Sequence, residues 1–108
     1  MRDASAARAL EVIGDSQRRA ILEILAEGPC AVRTIADRLP ISRPAVSRHL
    51  RLLKEASLVS DEAVGSQRVY RLRQDGIEAI RSYFETLWSE AAARYRLVAE
   101  NRGTGSGE

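Results

Sequence analysis

The sequence predicts a mainly α fold, α+β in detail, and three observations carry that prediction. Apolar residues recur at three-four spacing in four short stretches before residue 56, each bounded by cap or stop signals. The pattern then becomes extended over residues 58–73, around a Gly65-Ser66 step. Helical spacing returns at Ile77 and persists to Val98.

The first helix is expected over residues 4–13, with Ala7, Leu10 and Ile13 on one side and Gly14 as its end. Asp15 or Ser16 can cap the second, whose stripe is Ile21, Leu22, Ile24 and Leu25. Gly28 is its stop, and Pro29 follows where a helix could not have continued. A third, short helix in VRTIADRLP turns Val32, Ile35, Ala36 and Leu39 inward. The fourth begins at a Ser42 cap, tolerates Pro44 in its first turn, and buries Val46, Leu50 and Leu53 at i, i+4, i+7.

Two short helices joined by a few residues form a helix-turn-helix, and the hairpin behind them is its wing. In the second strand Val69, Arg71 and Arg73 alternate with Tyr70 and Leu72, and Arg71 and Arg73 have Asp61 and Glu62 nearby as partners. Asp75 is placed to cap the last helix. That helix outruns a core of this size, so its distal part is expected to pack on a second copy through Ile80, Phe84, Leu87, Trp88, Ala91 and Tyr95, joined by Leu10. The alternative is that it folds back over its own domain. The architecture expected is a winged helix-turn-helix with a long C-terminal dimerisation helix, one domain over residues 1–100, and a flexible polar tail over 101–108.

With 44% hydrophobic and 30% charged residues the chain is of the soluble globular class. It holds no apolar run near ~18 residues that could span a membrane. The N-terminal MRDASAARAL is interrupted by charge, so a cytoplasmic location is expected. The net charge of +2 says little about partners, but residues 41–54 contain no acid at all. Sixteen of the seventeen cations are Arg. Arg suits bidentate phosphate and guanine contacts, although a GC-rich genome would produce the same bias. No nucleophile–base pairing and no phosphate-cradling Gly loop points to an enzyme.

The spans DSQRRAILEIL (15–25), TIADRLPISRPAVSRHLRLLKEASLV (34–59) and GSQRVYRL (65–72) resemble the ArsR/SmtB family of small bacterial dimeric repressors. The Ser-x-x-Leu core of that family is seen here as Ser47 to Leu50. The resemblance implies a homodimer that binds double-stranded DNA at a palindromic operator, with repression by promoter occlusion, autoregulation included. Two departures stand out. The family usually has Gly where this chain has Ser57. Metal-sensing members carry a Cys-x-Cys pair that by register falls on Ala31 and Arg33, neither a ligand. One Cys and one His on different elements cannot build a four-ligand soft-metal site. The resemblance is therefore to the metal-independent branch, no metal or cofactor is expected, and the inducer is unknown.

On the fourth helix Arg43, Pro44, Ser47, Arg48 and Arg51 lie opposite the buried stripe. Arg43 and Arg48 are the candidates for guanine readout and Ser47 for a base edge or phosphate. Arg51 and Lys54, toward the C-terminal end, are candidates for backbone contact. The competing reading is a solvated face kept charged for solubility. Ser42 is first a cap; a helix N-terminus near DNA can also hold phosphate. His49 is read as a packed histidine at the core's edge, with a phosphate contact as its alternative. In the wing, Ser66, Gln67 and Arg68 are candidates for the minor groove or flanking phosphates. Cys30 is a small hydrophobe or, alternatively, a thiol switch. A thiol- or ligand-switched sensor and a protein-interaction module that never meets DNA remain the rival functions.

Overall fold

The computed structural model describes residues 2–106, with side-chain environments over residues 6–99. Its elements run α1 (Arg2–Val12), α2 (Ser16–Ala26), β1 (Cys30–Ala31), α3 (Val32–Asp37), α4 (Arg43–Glu55), β2 (Val59–Val64), β3 (Gln67–Leu72) and α5 (Gln74–Ser106). This is the predicted winged helix-turn-helix. α3 and α4 form the helix pair, β2 and β3 the wing, and Gly65 makes the turn with a positive φ of 61°.

Local chemistry accounts for most boundaries. Asp15, rather than Ser16, caps α2: its Oδ1 accepts the backbone N–H of Gln17 at 2.8 Å and of Arg18 at 3.1 Å. Those bonds, the Arg18 N–H foremost, hold its carboxyl below the usual range. Ser42 Oγ accepts the Ala45 N–H at 3.2 Å, opening α4 with Pro44 in its first turn. Ile21, Ile35, Val46, Leu50, Leu53 and Leu58 are fully buried, so α2, α3, α4 and the start of the wing share one core. Burying each such side chain contributes about 1.5–3 kcal/mol, which is what fixes α4 with its polar face outward.

α4 ends in a Schellman motif. The Leu58 N–H donates to Leu53 O at 3.0 Å and the Ser57 N–H to Lys54 O at 2.9 Å. Ser57 sits between them with φ 62°. The exit is therefore the tight left-handed one that Gly would make, adopted by Ser. Ser57→Gly is expected to stabilise the fold by about 0.5–1 kcal/mol, because relief of about 1–2 kcal/mol of left-handed strain exceeds the added freedom of an unfolded glycine. The check is a higher urea midpoint at unchanged m-value; an unchanged midpoint would count against strain at this position.

Three features differ from expectation. The wing is part of a three-stranded sheet in the order β1-β3-β2, because Cys30 pairs with Tyr70 and Ala31 with Val69. Two residues are too few to show periodicity, so β1 left no signal of its own. Cys30 is half-buried on that strand. Secondly, α5 starts at Gln74, with Arg73 O accepting the Ile77 N–H at 3.2 Å. Asp75 therefore lies inside the first turn and is no cap; it pairs with Arg73 at 2.6 Å, and that guanidinium lowers its carboxyl's pKa. Arg73 is thus paired away from the wing, whereas Arg71 does meet Glu62. Thirdly, α5 continues through Ser106. The expected tail at 101–108 has no side-chain description, and residues 107 and 108 lie outside the described residues.

α1 packs on α5, burying Ala6, Ala9 and Val12. At 33 residues α5 is about 50 Å long, well beyond what α1 and the core can cover. No helix among the described residues is long and apolar enough to cross a membrane.

Candidate nucleic-acid interface

The outward face of α4 carries Arg43, Ser47, Arg48 and Arg51, all exposed. Its first turn contains Arg43 and no acid. A cation at a helix N-terminus opposes the macrodipole, at a cost of about 0.3–1 kcal/mol, so this end of α4 is electropositive at the expense of stability. Among the described residues no carboxylate comes within ion-pair distance of Arg43 or Arg48. Arg51 lies 3.9 Å from Glu55, a loose exposed pair of small energetic weight.

Lys54 and Arg68 are placed differently. Both meet Asp61 of β2, Lys54 Nζ at 2.8 Å from Oδ1 and Arg68 Nε at 3.5 Å from Oδ2. The same residues surround Tyr70, whose hydroxyl is pushed above its ordinary pKa, first by burial and then by the Asp61 charge. Nothing local in the sequence joins residue 61 to residues 54 and 68, so this pairing is visible only in the fold.

His49 is half-buried, and its Nδ1 lies 3.3 Å from Arg18 Nη1. Arg18 Nε donates to Val12 O at 2.5 Å. A guanidinium only donates, so Nδ1 accepts and the ring ties α4 to α2. This contact fits a histidine packed at the edge of the core.

A cleft of about 290 Å³ separates the recognition helix from the wing. Arg43 and Ser47 form one wall, Ser66, Gln67 and Arg68 the other, and Ala31, Val32 and Arg33 the floor. Of the predicted residues, the cleft brings Arg43 and Ser47 together with Ser66, Gln67 and Arg68, while Ser42, Pro44, Arg48, His49, Arg51 and Lys54 lie outside it. Arg33 is the residue that sequence reasoning missed. Its signal was available: it stands exposed in the first turn of the helix that crosses the DNA backbone in this motif. What could not be seen was that β1 pins that turn against the wing.

On α5, Phe84, Leu87, Trp88 and Tyr95 are exposed, Trp88 by 75% and Tyr95 by 77%. Leu10 and Ala91 are half-buried. Ile80, expected at a subunit interface, packs against its own core and is at most shared with a partner. Tyr83 and Phe84 stack edge-to-face at 5.9 Å. A groove between α1 and α5, lined by Ala6, Ala79, Tyr83 and Leu87 among others, runs beside this stripe.

Comparison with known proteins agrees with this geometry. The family model for bacterial regulatory proteins of the arsR family matches residues 15–61, which span α2 to the start of the wing. The HTH-type transcriptional regulator Rv2034 of Mycobacterium tuberculosis is 45% identical over 96 residues, 89% of this chain and 90% of that protein. The transcriptional repressor SdpR of Bacillus subtilis is 39% identical over 62 residues, 57% of this chain and 69% of that protein. Among solved structures, the homodimeric winged helix-turn-helix DNA-binding domain of Mb0332 from Mycobacterium bovis, a possible ArsR-family regulator, matches with a TM-score of 0.65. Its sequence identity is 26%, and the match covers 85% of this chain and 82% of that one. On its fold, its recognition helix and this kinship, the chain belongs to the arsR family of bacterial regulatory proteins.

Proposed function

We propose that the protein is a homodimeric transcriptional repressor that acts in the cytoplasm by occupying an inverted-repeat operator. The observation that carries the reading is the run of α4 from Arg43 to Lys54 without an acid, with Arg43 and Ser47 facing the wing across a cationic cleft. In this proposal the N-terminal half of α4 enters the major groove. Arg43 and Arg48 read guanines and Ser47 a base edge. Ser66 and Gln67 reach the flanking minor groove or its phosphates. The strand between those grooves crosses the cleft, where Arg33 meets it, and Arg51 holds a phosphate further along. Ser42 and Pro44 shape the helix start, and His49 stays with Arg18.

The exposed stripe on α5 supports pairing through Phe84, Leu87, Trp88 and Tyr95, joined by the half-buried Leu10 of α1. A two-fold pair sets two recognition helices about one DNA turn apart, roughly 34–36 Å. Sequencing the DNA retained by the purified protein is therefore expected to return an inverted repeat with half-sites about 10 bp apart. Recovery of fragments without any palindromic motif would overturn the operator reading. Binding that ignores salt would favour a protein-interaction module, since phosphate neutralisation imposes a steep loss with added salt.

A further inference from the structure

Asp61 is the third residue of β2, and its side chain is only 9% exposed. Its two oxygens serve different elements. Oδ1 takes Lys54 Nζ from the last turn of α4, and Oδ2 faces Arg68 Nε on β3. The strand register explains the second contact: Asp61 lies opposite Tyr70, so Arg68 is its diagonal neighbour on one face of the wing. One carboxylate thus bridges recognition helix and wing.

The burial of that carboxylate decides how firmly it holds its partners. An exposed ion pair is screened and contributes little. A largely buried carboxylate that loses a cation is left an under-compensated charge, so drawing Lys54 or Arg68 away toward DNA carries a cost. Each cation is itself 54% exposed, close enough to solvent to reach a phosphate if released. Arg43 and Arg48 bear no such restraint. The cations of the DNA-facing side therefore fall into a free set that includes the candidate base readers, and a held set of two.

We propose that Asp61 is a positioning residue that withholds Lys54 and Arg68 from DNA phosphates, and so limits how tightly the protein binds DNA irrespective of sequence. The proposal rests on the DNA-binding reading given above. Sequence-independent affinity arises almost entirely from phosphate neutralisation, and each neutralised phosphate adds about 0.9 to the slope of log K against log salt. Holding back two cations lowers that affinity while leaving Arg43 and Arg48 untouched. A larger share of the total affinity then depends on the bases.

The test compares binding to a random-sequence duplex across a salt series. Asp61→Asn, nearly isosteric, is expected to bind about 5- to 30-fold tighter near physiological salt, with a slope steeper by about one to two. Asp61→Glu, which keeps the charge, should restore wild-type values. A Lys54→Met, Arg68→Gln double variant should keep the wild-type slope, and adding Asp61→Asn to it should change nothing further. A wild-type slope in a folded Asp61→Asn protein would overturn the proposal. So would a double variant whose slope flattens by about two, or a steepening by Asp61→Asn that persists in that background. If Asp61→Asn fails to fold, the double variant alone decides. A wild-type protein with no salt-dependent binding overturns the DNA-binding reading and this proposal with it. Salt-dependent wild-type binding with an unaltered Asp61→Asn overturns this proposal alone.

Discussion

Replacing Arg43 and Arg48 together with Ala is expected to weaken operator binding by about 2–6 kcal/mol, a factor of roughly thirty to twenty-five thousand. Each bidentate guanine contact is worth about 1–3 kcal/mol, and two separate contacts of this kind add. Folding should be unaffected: both side chains are exposed, and neither belongs to the buried stripe. Thermal stability should even rise slightly, because removing Arg43 relieves the unfavourable charge at the helix start. The informative measurement is affinity for the operator beside affinity for a scrambled duplex. The double variant should lose preference between them, whereas Arg33→Ala should weaken both alike and lower the salt slope by about one. Wild-type discrimination in the double variant would remove both residues as readers.

Gly76→Ala is the substitution with the largest expected effect on the fold. Gly76 is buried in the first turn of α5. A Cβ there would lie 1.9 Å from the carbonyl oxygen of Ser57 and 2.8 Å from its carbonyl carbon. Both atoms are backbone, so no side chain can swing aside to make room. The Ser57 carbonyl is also pinned between the Schellman bonds of α4 and the Arg73 N–H, which donates to Leu58 O at 2.9 Å. Overpacking usually costs about 1–3 kcal/mol, and a clash with immobile backbone belongs at or above the top of that range. Against a total stability on the order of 5–15 kcal/mol, that is a large fraction. The expected result is a denaturation midpoint far below wild type, or an insoluble product. A midpoint within error of wild type would show that α5 can shift outward at little cost.

These two sites show what the sequence revealed and what it hid. Val46, Leu50 and Leu53 are read directly from their spacing, and with Ser42 and Pro44 they determine which face of α4 is presented. The candidate readers Arg43, Ser47 and Arg48 follow by subtraction. The hairpin was legible from its change of period and the Gly65-Ser66 turn. Features made by meetings of distant segments were not legible. β1 exists only because Tyr70 and Val69 lie alongside it. Arg33 enters the cleft only because β1 holds the first turn of α3 there, and Asp61 reads as a wing acid until Lys54 and Arg68 are seen on its two oxygens. Ser57 is an intermediate case. Its position marks a tight exit, but only its φ shows that a non-glycine residue adopts the left-handed conformation.

The closeness of Gly76 to Ser57 has a mechanical consequence. The long helix α5 begins against the end of the recognition helix, backbone against backbone, with a hydrogen bond from Arg73 to Leu58 beside the contact. Such a joint has no soft side chain to absorb movement. The angle of α5 and the direction of α4 therefore behave as two arms of one rigid bracket. In the two-fold pair proposed above, the distance between the recognition helices would then follow the angle of α5, like the opening of a pair of callipers.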